Sequence, residues 1–279
     1  MQPHLRLLLF LAVAIAYCLT HWARAADSPA EAIIRPLTFG VLNQQSSIQT
    51  AERWNPILTY LTSRTGIPLR LKMGATVDAT DAMMGREEFD LVFTNHNFMP
   101  EFDGKYRVLV RWAGSSIHGA IVVRENSPVG SVNDLAGKRV AFPSPAAFVA
   151  YAVPMSAIKE KRIEVDVRFS GNQEGALAQL KAGQVDAAAV NTRFLESYAR
   201  RENLHYRTIF VSEPFHDLPI AIHPRIPAAQ GAALRQALLD MHADPAAAPA
   251  LAAAQSKGFE AADERDYDNA RRIYRMIAP

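Results

Sequence analysis

The sequence predicts an α/β protein built as two parallel-sheet lobes. Strands and helices alternate along the chain, and one strand–helix–strand–helix–strand unit occurs twice. The two occurrences also share residue spacing. Asp90 precedes Asn95 by five and Phe98 by eight, and Asp186 precedes Asn191 by five and Phe194 by eight.

The first unit begins with a short apolar strand at Leu37 to Leu42, followed by a polar loop, Asn43 to Ser47. A helix over 49–65 follows from Trp54, Ile57, Leu58 and Leu61 at helical spacing, with Gly66 as its stop. Leu69 to Met73 is the second strand. Thr76 caps a short helix to Gly85, and Phe89 to Phe93 is the third strand. The second unit repeats this order. It has a strand at Lys138 to Phe142, a helix over 147–161, a strand at Ile163 to Phe169, a helix from Asn172 to Ala182 stopped by Gly183, and a strand at Val185 to Val190. Ile117 to Arg124 reads as a strand leaving the first lobe, and 211–223 as the strand coming back. The Ala-rich segment from about Ala228 is helical. It ends in an amphipathic stretch near Tyr267 to Ile277, expected to pack on the first lobe. The expected boundaries are 33–122 with 212–279 for lobe 1, and 123–211 for lobe 2, joined by two hinge strands.

The extreme N-terminus stands apart from this pattern. His4 and Arg6 precede an apolar run, Leu7 to Leu19, and then the small-x-small sequence Ala23-Arg24-Ala25. This reads as a secretory signal peptide over 1–25, cut after Ala25 or Ala26, with an uncleaved membrane tether as the alternative. Cys18, the one cysteine, lies inside it, behind Tyr17 rather than the small residue that lipidation prefers. A mature chain cut after Ala25 has no disulfide and no thiolate chemistry. The 30 basic and 28 acidic residues nearly balance, which argues against a nucleic-acid binder. No G-x-S-x-G elbow, P-loop or dinucleotide fingerprint occurs, so the chain is not expected to be an enzyme or to need a cofactor. His96, His118, His216 and His223 lack the close spacing of a zinc motif, so no metal is expected either.

In open α/β sheets, ligands bind beyond the carboxyl ends of the strands. Here those ends are small and polar: Asn43–Ser46, Gly74–Thr76, Thr94–Asn97, Pro143–Ala147, Ser170–Glu174 and Asn191–Arg193. Two lobes that face each other with such ends form a hinged clamp around a small molecule.

Several phrases carry a family resemblance. One series is Phe39-Gly40-Val41, Trp54-x-Pro56-x-x-x-Tyr60-Leu61 and Phe89-Asp90-Leu91-Val92. The others are Ser131 to Phe142, Val167-Arg168-Phe169-Ser170-Gly171 and Gly183-Gln184-Val185-Asp186-Ala187-Ala188-Ala189-Val190. Over about 36–240 the chain resembles the phosphonate/phosphite/phosphate-binding components of ABC importers. That resemblance implies a type II periplasmic-binding-protein fold and a phosphonate- or phosphate-like oxyanion as the family's ligand. The implied place of work is the periplasm. The implied partner is an inner-membrane permease with its ATPase or, as the alternative, a membrane sensor kinase. A monomer is expected.

The family's ligand loop carries a Ser-Thr-Ser-Gly run after Pro-Ala. The matching stretch here is Pro145-Ala146-Ala147-Phe148-Val149-Ala150-Tyr151, without those hydroxyls. Helix-start amides remain available to an anion, but each lost bond to a charged group costs about 1.5–3 kcal/mol. The family's Gly-Ser-His-Asp becomes Gly171-Asn172-Gln173-Glu174. The candidate ligand-binding residues are accordingly Gln44, Gln45, Ser46, Asn95, His96, Ala147, Phe148, Val149, Tyr151, Gln173, Glu174 and Asn191. Each has a structural alternative. Asn95 and His96, with Asn97, also suit a turn; Phe148 suits a core; and Glu174 suits the first turn of a helix. Arg53, Arg111 and Arg193 would supply charge to an oxyanion, but such residues are more often solvated or ion-paired. Asp90 and Asp186 are expected to bond backbone near the cleft.

Overall fold

A computed structural model describes residues 35–42 and 46–278. The signal segment with Cys18, and the loop candidates Gln44 and Gln45, lie outside the described residues.

The first half runs β1 (Leu37–Val41), α1 (Ser47–Thr65), β2 (Leu69–Lys72), α2 (Val77–Gly85), β3 (Leu91–Phe93) and β4 (Arg107–Trp112). Helix α1 starts at Ser46, whose hydroxyl accepts the Gln49 amide, and ends at Gly66, which turns left-handed at φ 70°. The chain then crosses through β5 (Ser116–Ile117) into β6 (Gly119–Arg124). The second half continues with β7 (Arg139–Phe142), a π-helical turn (Phe148–Ala152) running into α3 (Val153–Glu160), β8 (Asp166–Phe169), α4 (Gln173–Lys181), β9 (Ala187–Asn191), α5 (Thr192–Glu202) and β10 (Tyr206–Val211). The return passes through β11 (Phe215–His216) to β12 (Pro219–Ile222), α6 (Ala228–Asp240), α7 (Ala248–Ala253), β13 (Phe259–Ala261) and α8 (Asp268–Ile277).

Two mixed sheets result. The first has the order β13-β4-β12-β3-β1-β2 and the second β10-β6-β9-β7-β8. Parallel pairing is confined to β2-β1-β3 and to β8-β7-β9, the three strands of each repeated unit. The remaining strands pair antiparallel, because they are the crossing and returning segments and run back along the sheet. The crossing strands are not continuous, as the sequence had suggested. Each is interrupted, at His118 and at Asp217–Leu218, where β5 and β11 pair with each other as a separate two-stranded ribbon. Sheet membership puts β6 in the second half from Gly119, whereas the sequence suggested a boundary at 123.

The halves share a core. The apolar cluster of the first sheet includes Phe148, Val149, Ala152 and Val153 of the second half. Phe148 meets Phe215 at 5.0 Å and Tyr274 at 5.1 Å between ring centroids. Helix α8 therefore does not pack on the first lobe alone. Arg271 ties it to Asp103 and Glu264 of the first half. Its buried Tyr274 hydroxyl donates to the Ala146 carbonyl of the second half at 3.3 Å.

Candidate functional site

The two repeated units fix their third strands with the same device. In the first, the Asp90 amide donates to the Thr38 carbonyl, while the Asp90 carboxylate accepts the Thr38 amide at 2.9 Å. In the second, Asp186 exchanges the same pair of bonds with Arg139, again at 2.9 Å. Each pair registers the third strand against the first at the end remote from the loops. The loop ends that follow Asn95 and Asn191 are thereby aimed in one direction.

These loop ends meet around a cavity of about 620 Å³. The first half contributes Leu42, Ser46, Ser47, Ala75, Thr76, Val77, Asn95 and His96. The second contributes Pro143, Ser144, Ala147 to Ala150, Gly171 to Glu174, Asn191 and Phe194, and the crossing adds Ile117 and Leu218. Among the sequence candidates, Ser46, Asn95, His96, Ala147, Phe148, Val149, Gln173, Glu174 and Asn191 line this one space. Tyr151 does not. Its ring packs edge-on against Phe142 at 5.1 Å and Phe169 at 5.2 Å, on the far side of the turn.

Helix starts surround the cavity, and most are already capped. Ser46, Thr76, Asn172 and Asn191 each accept a backbone amide of their own helix, those of Gln49, Ala79, Gly175 and Arg193. Two are not: the 3-10 turn after Asn95 has no side-chain cap, and neither does the π turn after Ala147. The first internal bond of the π turn joins the Ala152 amide to the Ala147 carbonyl at 2.9 Å, five residues back. An α-helix would close that bond four residues back, so the π register leaves one more amide open at the start. The amides of Phe148 to Tyr151 precede this bond. Tight packing holds the turn, since a Cβ on Gly119 would sit 2.0 Å from the Val149 carbonyl oxygen.

The polar side chains are partly committed. Both Asp81 carboxylate oxygens contact His96 Nδ1, at 2.8 and 3.0 Å, so Nδ1 carries the proton and Nε2 is left as an acceptor in the neutral ring. Gln173 Oε1 accepts the Asn191 amide at 2.7 Å, which joins two loop ends of the second half and leaves the Gln173 amide nitrogen for other partners. Glu174 pairs with Arg201 at 2.9 Å. The arginines considered from sequence do not line the cavity. Arg111 is held by Glu260 and Asp266, and Arg53 lies 5.5 Å over the Trp112 ring. Arg193 reaches from α5 to Ser115, Ser116 and Asp217 at the crossing, a cross-link without a local cue in residue order. Asn97 is buried outside the lining, with neither side-chain polar atom hydrogen-bonded among the described residues. His118 approaches the Ser212 carbonyl, His216 the Tyr267 ring and His223 the Glu87 carboxylate. They are dispersed, and no cluster of three metal-ligating side chains occurs among the described residues. None of the described helices is long and apolar enough to cross a membrane.

Several solved structures share this fold. XAC2383 from Xanthomonas citri, bound to ATP, is 18% identical, with a TM-score of 0.73 over 86% of this chain and 96% of its own. PhnD1 from Prochlorococcus marinus, in complex with methylphosphonate, is 17% identical, with a TM-score of 0.71 over 86% and 97%. A binding-protein component of an ABC phosphonate transporter from Pseudomonas aeruginosa is 18% identical, with a TM-score of 0.70 over 85% of each chain. No curated protein sequence matches the chain. At these identities the likeness speaks for the type II periplasmic-binding-protein fold. The profile of the ABC-transporter phosphonate periplasmic substrate-binding proteins matches residues 39–267. Such proteins bind small ligands and work with a membrane permease, and by this match the chain belongs to their family.

Proposed function

We propose that this protein captures a small organic oxyanion in the periplasm and presents it to an inner-membrane permease, without chemical turnover. The reading rests on one observation: the strand ends of both sheets converge on a cavity lined by the start of the π turn, which has no side-chain cap and whose first amides precede its first internal bond. Open amides at a helix start favour an anion through both their hydrogen bonds and the helix dipole. The ligands of two structural relatives, methylphosphonate and ATP, both carry phosphorus oxyanions, which suits such a turn. In this reading Asn95, His96 and Gln173 orient the rest of the ligand. The protein acts as a monomer, and its halves close about the two crossing segments. Residues 1–25 are removed on export, which the mass of the secreted chain checks.

A thermal-shift panel of methylphosphonate, phosphite, phosphate and small sulfonates tests capture. A binder raises the melting temperature by mass action, by about 2.7 kcal/mol of stability at one hundred times its Kd. No shift with any anion overturns the reading. Co-purification then identifies the acceptor. A permease supports import, and a sensor kinase in its place overturns the transport role while leaving capture intact.

A further inference from the structure

The cavity has an unusual charge inventory for an anion site. Among the described residues that line it there is no lysine or arginine. Its two ionisable side chains are Glu174, an acid, and His96, which is backed by the acid Asp81. Neutral amides and helix dipoles are thus the principal attraction for negative charge. A helix terminus attracts an anion only modestly, and its pull fades beyond the first turn. Removing a second ligand charge from water is costly unless a cation meets it. One charge can be met by the open amides of the π turn, whereas a second would face Glu174 and the Asp81–His96 pair.

Size and surface add a second constraint. A water molecule fills about 30 Å³, so a bare oxyanion leaves most of the 620 Å³ unfilled. Much of the wall is apolar: Leu42, Ile117, Phe148, Val149, Phe194 and Leu218. Such a surface favours a ligand with a hydrocarbon body.

Building on the capture reading above, we infer that the site selects an organic monoanion, one singly charged oxyanion head on an apolar body, over dianionic and inorganic oxyanions. Matched probes test this on the wild-type protein by calorimetry. Propanesulfonate keeps one charge at every working pH. Propylphosphonate has the same body and passes from one charge to two across its second ionisation. Above that ionisation propanesulfonate is expected to bind about ten-fold or more tighter than propylphosphonate, equivalent to at least ~1.4 kcal/mol. Below it the phosphonate is expected to tighten towards the sulfonate, and inorganic phosphate is expected to bind weakest throughout. The sulfonate series reports any titration of His96, Asp81, Glu174 or Arg201, so the difference between the two series isolates the ligand's own charge. A dianionic phosphonate or inorganic phosphate that binds as tightly as the sulfonate overturns the charge rule but leaves capture standing. Binding by no probe overturns both.

Discussion

The two halves of the molecule use one registration device in opposite surroundings. Asp90 and Asp186 occupy the same place and exchange the same pair of backbone bonds with Thr38 and Arg139. Asp90, however, is 0% exposed, takes a second bond from the Thr38 hydroxyl and pairs with Arg225 at 2.9 Å. The Asp186 side chain keeps 30% of its surface in solvent and meets Arg139 at 3.4 Å. The loop ends diverge too. After Asn95 the chain makes a 3-10 turn that buries Phe98 against Tyr267, whereas after Asn191 it makes a full helix that leaves Phe194 on the cavity wall. A repeated sequence pattern therefore fixes geometry in both halves, while burial sets what each copy is worth.

The largest expected effect is at Asp90. Asp90→Ala leaves the buried Thr38 amide without its acceptor and takes the carboxylate partner from Arg225, which keeps only the Glu87 and Phe89 carbonyls, and should lower unfolding free energy by about 3–5 kcal/mol in denaturant melts. An equal loss in Asp186→Ala would break the contrast. At the seam between the halves, Gly119→Ala drives a Cβ into the Val149 carbonyl. Over-packing of this kind costs about 1–3 kcal/mol. Because Val149 lines the cavity, affinity for the best ligand in calorimetry should fall with it. Asp186→Ala should cost about 0.5–1.5 kcal/mol, the worth of an ordinary hydrogen bond. Its pH signature sharpens the comparison. Partial burial opposes the Asp186 charge, but the bonds from Arg139 and the positive charges of Arg139 and Lys138 prevail and hold its carboxyl below the ordinary range. A depressed carboxyl adds stability above its unfolded pKa, and that stability is lost as pH falls through the folded value. Stability should accordingly drop less steeply on acidification in Asp186→Asn than in the wild type. The smallest effect is expected for Arg193→Ala. Its side chain is 63% exposed and should contribute under about 1 kcal/mol to stability. A change in the compactness of the unliganded protein by small-angle scattering would show instead that its cross-link governs opening.

Much of this was legible from residue order. Thr76 and Asn172 announced helix starts, Gly66 and Gly183 announced stops, and the Asp-to-Asn spacing matched the two units. Most of the candidates reached the cavity because strand ends are positions a sequence can mark. What escaped is decided by distant packing. Nothing in Ala147-Phe148-Val149-Ala150-Tyr151 signals a π register. That register comes with Phe215 and Tyr274 pressing on Phe148, and with Gly119 lying under Val149. Tyr151 follows in the same turn and packs against Phe142 and Phe169 in the second half. Arg193 gave no local cue either, since its partners lie in Ser115–Ser116 and Asp217.

The strands of the second sheet all lie between Gly119 and Val211, while the first sheet places β12, from Pro219–Ile222, between β3 and β4. A polypeptide emerging from its N-terminus can zip the later-encoded sheet closed while the earlier one still lacks an inner strand. The half that begins the chain is thus the half finished last, and a nascent chain halted before residue 219 would hold one complete sheet beside an open scaffold.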